Sequence, residues 1–156
     1  MKILRVDDRL IHGQIIAGWI PTFTISNIIL INDSIPLDML QIYKNMLPVE
    51  INLLIFNINE VDKIIDKNSS IYLLENIKLL KNNLQKFENI SFDLFNLGGM
   101  RSKVDKEKIL DFIYMDKNDI NDFFETIKNL KFKKVNAQQL PNTQSFDIKR
   151  ILERRS

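Results

Sequence analysis

Apolar-rich runs that alternate with segments of helical periodicity constrain the fold of this chain most strongly. Such runs cover residues 3–6, 28–31, 51–56, 71–74 and 90–97. Short apolar runs of this kind are typical of strands buried on both faces of a parallel sheet. Because helical patterns separate them from end to end, the sequence predicts a doubly wound α/β fold with a mostly parallel sheet.

The segments between these runs predict helices with recognisable ends. One helix carries Leu37, Leu40, Tyr43 and Leu47 on one face and ends before Pro48. A second is predicted to contain apolar residues after a cap at Asn57 or Asn59; these are Ile58, Val61, Ile64 and Ile65. A third is marked by the following apolar residues: Ile77, Leu80, Leu84 and Phe87.

The last third of the chain predicts two strands and two helices. Residues 109–114 are expected to form a short strand. The clearest helical periodicity follows, and its aromatic side chains are expected in the core and not around a cofactor; the positions are Ile120, Phe123, Phe124, Ile127 and Leu130. Residues 132–140 predict a last strand, which exposed lysines place at the sheet edge, and residues 145–154 a short basic helix.

Length and composition favour a single domain over residues 1–156, with 45% hydrophobic residues to build its core. Cysteine is absent and histidine occurs once, so we expect no disulfide, no metal site and no cofactor. We also find no signal peptide and no apolar run of about 20 residues. The chain is therefore expected to be soluble and cytoplasmic.

The formal net charge of +2 is nearly balanced, which argues against a nucleic-acid partner. Basic residues are nevertheless concentrated in the C-terminal quarter, at Lys131, Lys133, Lys134, Lys149, Arg150, Arg154 and Arg155. A solvated face with a frayed end is the simpler interpretation. A docking surface for an acidic partner is the alternative.

The single histidine, His12, follows the first predicted strand and a polar turn, and precedes a helical pattern marked by Ile11, Ile15 and Trp19. Ligands of open α/β sheets bind at the carboxyl ends of the strands, in loops of this kind. A neutral imidazole is a good nucleophile near pH 7. Phosphoryl transfer also needs positive potential and precise positioning, which Arg9 and the first amides of the next helix are placed to supply. A merely structural or exposed histidine is the alternative.

The motif Arg5-x-Asp7-x-Arg9-Leu10-x-His12-Gly13-Gln14 resembles the active-site signature of the IIB subunits of the bacterial sugar phosphotransferase system, mannose/fructose/sorbose class. The resemblance continues in Asn32-Asp33, in residues 96–101 and in residues 139–141. It implies a single domain of three layers, in which helices flank a sheet of six or seven strands with one antiparallel strand.

The resemblance also implies a phosphocarrier function. His12 would accept a phosphoryl group on Nδ1 from a IIA phosphodonor protein and pass it to a sugar held by the membrane subunits IIC and IID. The protein would then be a cytoplasmic phosphotransferase, attached peripherally to the inner face of the membrane through IIC and IID. The sugar and the oligomeric state stay open, and a homo-oligomer is possible.

Individual roles follow from charge and position. Arg9 is expected to stabilise the moving phosphoryl group, whereas Asp7 would repel it and is expected to hold Arg5, Arg9 or loop amides in place. Asp8 is interpreted as a solvated turn residue, Trp19 as core, and Arg5 as either structural or facing the site. Gly13 and Gln14 are candidate phosphate-binding residues, with packing alone as the alternative for Gln14. Gly98 and Gly99 either join them on the rim of the phosphate site or form an ordinary turn.

Two other function classes are weighed against the phosphocarrier. A direct ATP-dependent kinase is not expected, because the chain contains no Gly-x4-Gly-Lys-Ser/Thr loop. A non-catalytic regulatory or anion-binding module of the same α/β architecture remains the alternative. The pairing of Arg9 with His12 favours the phosphocarrier.

Overall fold

A six-stranded sheet in which every neighbouring pair is parallel forms the centre of the molecule. The structure is a computed structural model and describes residues 1–155; Ser156, the last residue of the predicted domain, lies outside them. The sheet order is β3-β2-β4-β1-β5-β8. These strands are β1 (Lys2–Asp7), β2 (Asn27–Asn32), β3 (Asn52–Asn57), β4 (Ser70–Leu74), β5 (Ser91–Gly99) and β8 (Lys131–Ala137).

Helices cover both faces of this sheet, which gives the three layers that were predicted. One face packs against residues 13–23, which are π-helical over Ile15–Trp19 and α-helical over α1 (Ile20–Phe23), and against α2 (Leu37–Met46). The other face packs against α3 (Ile77–Lys81), a 3₁₀ turn (Leu84–Lys86), α4 (Lys117–Asn129) and α5 (Ile148–Glu153).

The central strands β2 and β4 lie inside the molecule because their sequences are mostly apolar. Every residue of β2 and β4 is buried, as expected for parallel strands with helices on both sides. Alternate side chains enter the two cores: Ile28 and Leu30 face α2, while Ile29 and Ile31 face the side of α3 and α4. The loop of residues 8–12, which carries His12 and which we call the active loop, follows β1, one of the central strands of the sheet.

The antiparallel strand that the resemblance implied is found outside the main sheet. Strands β6 (Glu107–Leu110) and β7 (Ile113–Met115) form a separate antiparallel hairpin. The single strand predicted over residues 109–114 is therefore wrong, because the chain reverses direction between β6 and β7. A bridge between Met100 and Ile113 joins this hairpin to the end of β5.

The helix predicted over residues 58–65 is also wrong. Asn57 forms a turn instead, since its side chain accepts a hydrogen bond from the amide of Asn59 at 3.0 Å. The Ile64 amide donates to the carbonyl of Lys86 at 2.8 Å, a long-range bond in place of a helical one. Ile58 and Ile64 are nevertheless buried, so the segment packs its apolar side chains without forming a helix.

The third predicted helix is interrupted: α3 ends at Lys81 and a separate 3₁₀ turn covers Leu84–Lys86, because the weak helix formers Asn82 and Asn83 lie between them. Strand β8 ends at Ala137, three residues before its predicted end, and α5 begins at Ile148, three residues after its predicted start.

The long helix α4 agrees with its prediction. The apolar face of α4 enters the core, with Phe123 fully buried, and Asp116 and Asp119 close its first turn as a reciprocal capping box. Strand β8 occupies one edge of the sheet, and β3 occupies the other. Within residues 1–155, no helix combines the length and the apolar character that a membrane span requires.

Candidate active site

The loop after β1 carries the histidine and is fixed at both ends. Its first amide, that of Asp8, donates to the carbonyl of Gly99 at 3.1 Å and ties the loop to the end of β5. Leu10 adopts a left-handed conformation with φ of 57° and donates its amide to the carbonyl of Asp7 at 3.0 Å. Because Leu10 is buried, this tight turn is held by packing. The turn brings His12 back toward Asp7.

The Asp7 carboxylate is the centre of the site and has no exposed surface. Its Oδ2 accepts hydrogen bonds from Arg5 Nη2 at 2.8 Å and from Arg9 Nη2 at 3.0 Å. Its Oδ1 accepts from the Arg9 amide at 3.1 Å and from Arg9 Nε at 3.0 Å. Two guanidinium groups therefore share one buried carboxylate.

The charges of this cluster stabilise one another. Burial by itself would raise the pKa of Asp7, but hydrogen bonds from His12 and Arg9 and the charge of Arg5 hold it well below its ordinary value. Burial lowers the pKa of Arg5 to about 10, against the opposing influence of Asp7. Asp7 is therefore ionised and Arg5 charged at neutral pH.

A fifth contact of Asp7, with His12, determines how the imidazole ring is oriented. His12 Nε2 lies 3.0 Å from Asp7 Oδ2, and 17% of the histidine side chain is exposed. A carboxylate acceptor at Nε2 favours the tautomer that carries its proton there. Nδ1 then has a free electron pair, and its one contact within residues 1–155 is a long hydrogen bond from the Gln14 amide at 3.4 Å. Nδ1 is the ring nitrogen available to an electrophile.

The start of the following helix offers fewer free amides than the sequence suggested. The amides of Ile15 and Ile16 both donate to the carbonyl of His12, at 3.1 and 3.2 Å. Gly13 lies at the surface, with open space where a side chain would project. The backbone at Gly13 and Gln14 is therefore the part of this turn that lies nearest the exposed edge of His12.

Arg5, whose place the sequence left open, is structural. It is fully buried, and Nη1 donates to Asn96 Oδ1 and to the carbonyl of Gln138. Its guanidinium carbon lies 4.7 Å from the centre of the Trp19 ring, a cation–π contact. Trp19 is fully buried, as predicted, and its Nε1 donates to the carbonyl of Gln139 at 2.8 Å. Arg5 thus connects Asp7 to the segment at residues 138–141.

Gly98 and Gly99 are buried within β5, so they do not form the ordinary turn that was one expectation, and neither has a positive φ. A Cβ at Gly98 would lie 2.1 Å from the guanidinium carbon of Arg5. A Cβ at Gly99 would lie 3.0 Å from Asp7 Oδ1 and 3.1 Å from Arg9 Nη2. The two glycines provide the space in which the buried charges pack, and the Gly98 carbonyl accepts from Arg9 at 3.2 Å.

Asp8 and Arg101 form an ion pair that the sequence analysis missed. Asp8 Oδ2 accepts from the Arg101 amide at 2.7 Å and lies 3.2 Å from Arg101 Nε. Only 17% of the Asp8 side chain is exposed, so its interpretation as a solvated turn residue is wrong. The signal in the sequence was the position of Arg101 two residues after Gly99, near the end of β5, and it carried no information about its partner.

Asn32, a further landmark of the motif comparison, makes a different contact. Its side-chain amide donates to Glu75 at 3.3 Å, at the carboxyl ends of β2 and β4. Among residues 1–155, no three histidine, aspartate or glutamate side chains are grouped as metal ligands. The chemistry that the described cluster supports is that of an oriented imidazole beside an arginine.

Comparison with known proteins places this geometry in a family. The family model described as PTS system sorbose subfamily IIB component matches residues 1–156. The fructose-specific EIIB component of Bacillus subtilis is 26% identical over 157 residues, which cover 96% of this chain and 94% of that protein. The mannose-specific EIIAB component of Escherichia coli is 25% identical over 87% of this chain, but the match covers 41% of that longer protein.

Solved structures share the fold. The IIBSor domain of the sorbose permease from Klebsiella pneumoniae superposes with a TM-score of 0.78 over 100% of this chain and 99% of that chain, at 20% identity. An N-acetylgalactosamine IIB component from Streptococcus pyogenes gives a TM-score of 0.75 over 96% and 97% of the two chains, at 23% identity. On the match over its whole length, this chain belongs to the sorbose subfamily of IIB components of the sugar phosphotransferase system.

Proposed function

We propose that His12 is the phosphorylated residue of this IIB component and that Nδ1 is its reactive atom. The contact between Asp7 Oδ2 and His12 Nε2 supports this assignment most directly. It orients the ring, favours a proton on Nε2 and leaves the electron pair of Nδ1 directed away from the carboxylate. The chain would thus serve as a phosphotransferase between two protein partners.

The first transfer takes a phosphoryl group from a phosphohistidine of the IIA partner. The bond between phosphorus and the donor nitrogen breaks as the bond between phosphorus and His12 Nδ1 forms. In the second transfer that bond breaks, phosphorus bonds to a hydroxyl oxygen of the sugar held by IIC and IID, and the hydroxyl releases its proton. The relative named EIIAB contains an A part with its B part, which supports a IIA donor.

Arg9 is the residue we assign to charge stabilisation during these steps. Its side chain is 29% exposed, while Asp7 fixes its Nε and Nη2. The remaining nitrogen, Nη1, has no hydrogen-bond partner within residues 1–155 and is free to bind a phosphoryl oxygen. The backbone at Gly13 and Gln14 would supply further donors, whereas Gly98 and Gly99 would act by making room for Arg5 and Arg9.

The proposed partners imply a location. A protein that exchanges phosphoryl groups with IIA and with membrane-embedded IIC and IID works in the cytoplasm, peripherally attached to the inner face of the membrane. No nucleic acid has a part in this scheme, and no metal ion or cofactor is needed to supply positive charge beside Arg9.

The test is transfer of label from phosphoenolpyruvate through the general phosphotransferase proteins and a cognate IIA protein. Wild-type protein is expected to take up acid-labile, base-stable label, and His12→Gln none. ³¹P and ¹⁵N spectra of the labelled protein should place the phosphorus on Nδ1. Circular dichroism of His12→Gln checks that the variant is folded.

Two outcomes contradict the proposal. Label missing from wild type while the IIA protein is itself labelled would favour a non-catalytic, anion-binding module. Phosphorus found on Nε2 would overturn the assignment of the reactive atom and the orienting role of Asp7.

A further inference from the structure

A cleft lies beside the proposed phosphoryl site, and of its lining residues the transfer as described gives only Arg9 a direct role. It encloses 290 Å³ between the active loop, the end of β5 and the β6–β7 hairpin. Arg9 and Arg101 both line it, and we call it the Arg9–Arg101 cleft. Its volume is near the lower end of the roughly 300–1,000 Å³ that is typical of small-molecule sites. The cleft suits a ligand the size of a monosaccharide.

Two guanidinium groups among the lining residues give the cleft an affinity for a dianion. Arg9 reaches it from the active loop, with Nη1 unpartnered within residues 1–155. Arg101 is held at Nε by Asp8, and 72% of its side chain is exposed. Its two terminal nitrogens likewise have no partner among these residues. Arginine pairs bind phosphate oxygens through such free donors.

Other residues that line the cleft have the chemistry of a carbohydrate site. Hydroxyl groups of Ser102 and Tyr114 and the side-chain amide of Gln139 supply donors and acceptors, and none of them has a hydrogen-bond partner within residues 1–155. The rings of Phe112 and Tyr114 supply apolar surface next to them. A few polar groups on an apolar wall are what fixes the orientation of a small polar ligand.

The two aspartates that line the cleft balance two cations of the molecule, so its affinity for an anion depends on the terminal N–H groups of Arg9 and Arg101 that have no hydrogen-bond partner within residues 1–155, and not on an excess of positive charge. Asp8 is paired with Arg101 at 3.2 Å, and Asp111 with Lys108 at 2.7 Å. Arg9 lines the cleft and is also assigned to the transfer site, so a phosphate bound by Arg9 would lie at the margin of the cleft. We propose that the Arg9–Arg101 cleft binds the phosphate monoester of a sugar, which is the product of the reaction.

This inference rests on the proposed function, because the product is formed where Arg9 stabilises the moving phosphoryl group. It adds that the IIB component itself holds the sugar phosphate after transfer. Since the bound product would occupy Arg9, it would also compete with the next phosphoryl group.

Isothermal titration of the full chain with mannose 6-phosphate and fructose 1-phosphate tests the inference, with the two free sugars and inorganic phosphate as references. We expect at least one of the two sugar phosphates to bind about ten-fold more tightly than inorganic phosphate, and the free sugars not to bind at matched concentrations. Equal affinity for inorganic phosphate and both sugar phosphates, or no binding of either sugar phosphate, would overturn the inference.

Arg101→Ala is expected to weaken binding of the sugar phosphate by about ten-fold or more, by removing one charge-assisted contact. Lys103→Ala is the matched control, because it removes the same charge from an exposed position that does not line the cleft. Tyr114→Phe should reduce the preference for sugar phosphate over inorganic phosphate. An equal loss of affinity in Lys103→Ala would show that only the overall charge of the protein matters, and would overturn the assigned site.

The two proposals fail separately. Label on His12 together with no binding of sugar phosphate would leave the proposed function standing and end this inference. Binding that depends on Arg101 together with no label on His12 would support the cleft as a sugar-phosphate site and overturn the transfer function.

Discussion

At the scale of single residues, the site depends on one carboxylate with several cationic partners. A carboxylate at the position of Asp7 would repel an incoming phosphate. Arg5, Arg9 and His12 nevertheless all donate hydrogen bonds to this carboxylate. Its charge is therefore balanced from within the protein. The burial of Arg5 behind it lets Arg9 and His12 face outward in a fixed orientation.

Asp7→Asn should be strongly destabilising, because it leaves the buried Arg5 charge without its counter-ion. Breaking a buried pair in this way typically costs about 3–5 kcal/mol of unfolding free energy. Urea denaturation at neutral pH measures the loss. Asp33→Asn, at an exposed position, is the control and should change stability little.

The difference in stability between wild type and Asp7→Asn is predicted to depend on pH. The folded pKa of Asp7 lies below its ordinary value of 3.8, so the unfolded chain takes up this proton first as the pH falls. The stability that Asp7 contributes is complete above about pH 4 and decreases below it. Denaturation curves should show the gap between wild type and Asp7→Asn narrowing in acid, and a constant gap would contradict the depressed pKa.

The sequence predicted the residues of this cluster better than their contacts. Asp7 was expected to hold Arg5, Arg9 or loop amides, a pairing that its place two residues from each arginine makes reasonable. The pairing of Asp8 with Arg101 joins residues 93 positions apart, and no local pattern encodes such a contact. Long-range polar contacts are therefore the part of the site that a single sequence leaves undetermined.

At the scale of elements, the sequence of β5 is determined both by its strand pairing and by the space that the Arg5 side chain needs next to it. Gly98 lies inside a strand, where glycine is ordinarily unfavourable. The guanidinium of Arg5 occupies the space of the missing side chain. The local cost of the glycine is thus offset by the buried ion pair that it permits.

Gly98→Ala is expected to displace Arg5 and to lower the unfolding free energy by about 1–3 kcal/mol, as overpacking does. Gly13→Ala is the matched control, since nothing lies within 4 Å of the Cβ it would add. Thermal denaturation of the two variants measures the difference. Equal stability of both would show that Arg5 can move aside without cost.

Helices and strands followed from the sequence where local preference and tertiary packing agree. α4 combines a strong apolar periodicity with a capping box, and its prediction is confirmed. Residues 58–65 have helical periodicity, but their apolar residues are all β-branched and favour helices weakly. These residues are Ile58, Val61, Ile64 and Ile65. In this segment the Ile64 amide donates to the distant Lys86 carbonyl, and no helix forms.

At the scale of the whole molecule, a chain of buried amide groups joins the site to the β8 edge of the sheet. Asn96 on β5 accepts from Arg5 and donates to Asn136 on β8 at 2.8 Å. Asn136 donates in turn to Gln138 at 3.0 Å and to Ser145 at 2.9 Å. The sheet order β1-β5-β8 brings these residues together. The sequence predicted a parallel sheet, but its alternation of elements does not specify this order.

Asn96→Leu should loosen the segment at residues 138–145, because it removes the link between Arg5 and Asn136. The expected loss of stability is about 1–3 kcal/mol, as for a buried polar partner left unpaired. Hydrogen–deuterium exchange should show faster exchange in that segment and in the active loop. Asn129→Leu, at the exposed end of α4, is the control, and unchanged protection of residues 138–145 in Asn96→Leu would contradict the link.

The position of Trp19 has a practical consequence. It is the single tryptophan of the chain, its ring lies against the Arg5 guanidinium, and its N–H is held by the Gln139 carbonyl. Indole fluorescence is sensitive to nearby charge and to hydrogen bonding at the ring nitrogen. The protein therefore contains its own optical probe, and its emission reports movements of Arg5 and of the Gln139 backbone without an attached dye.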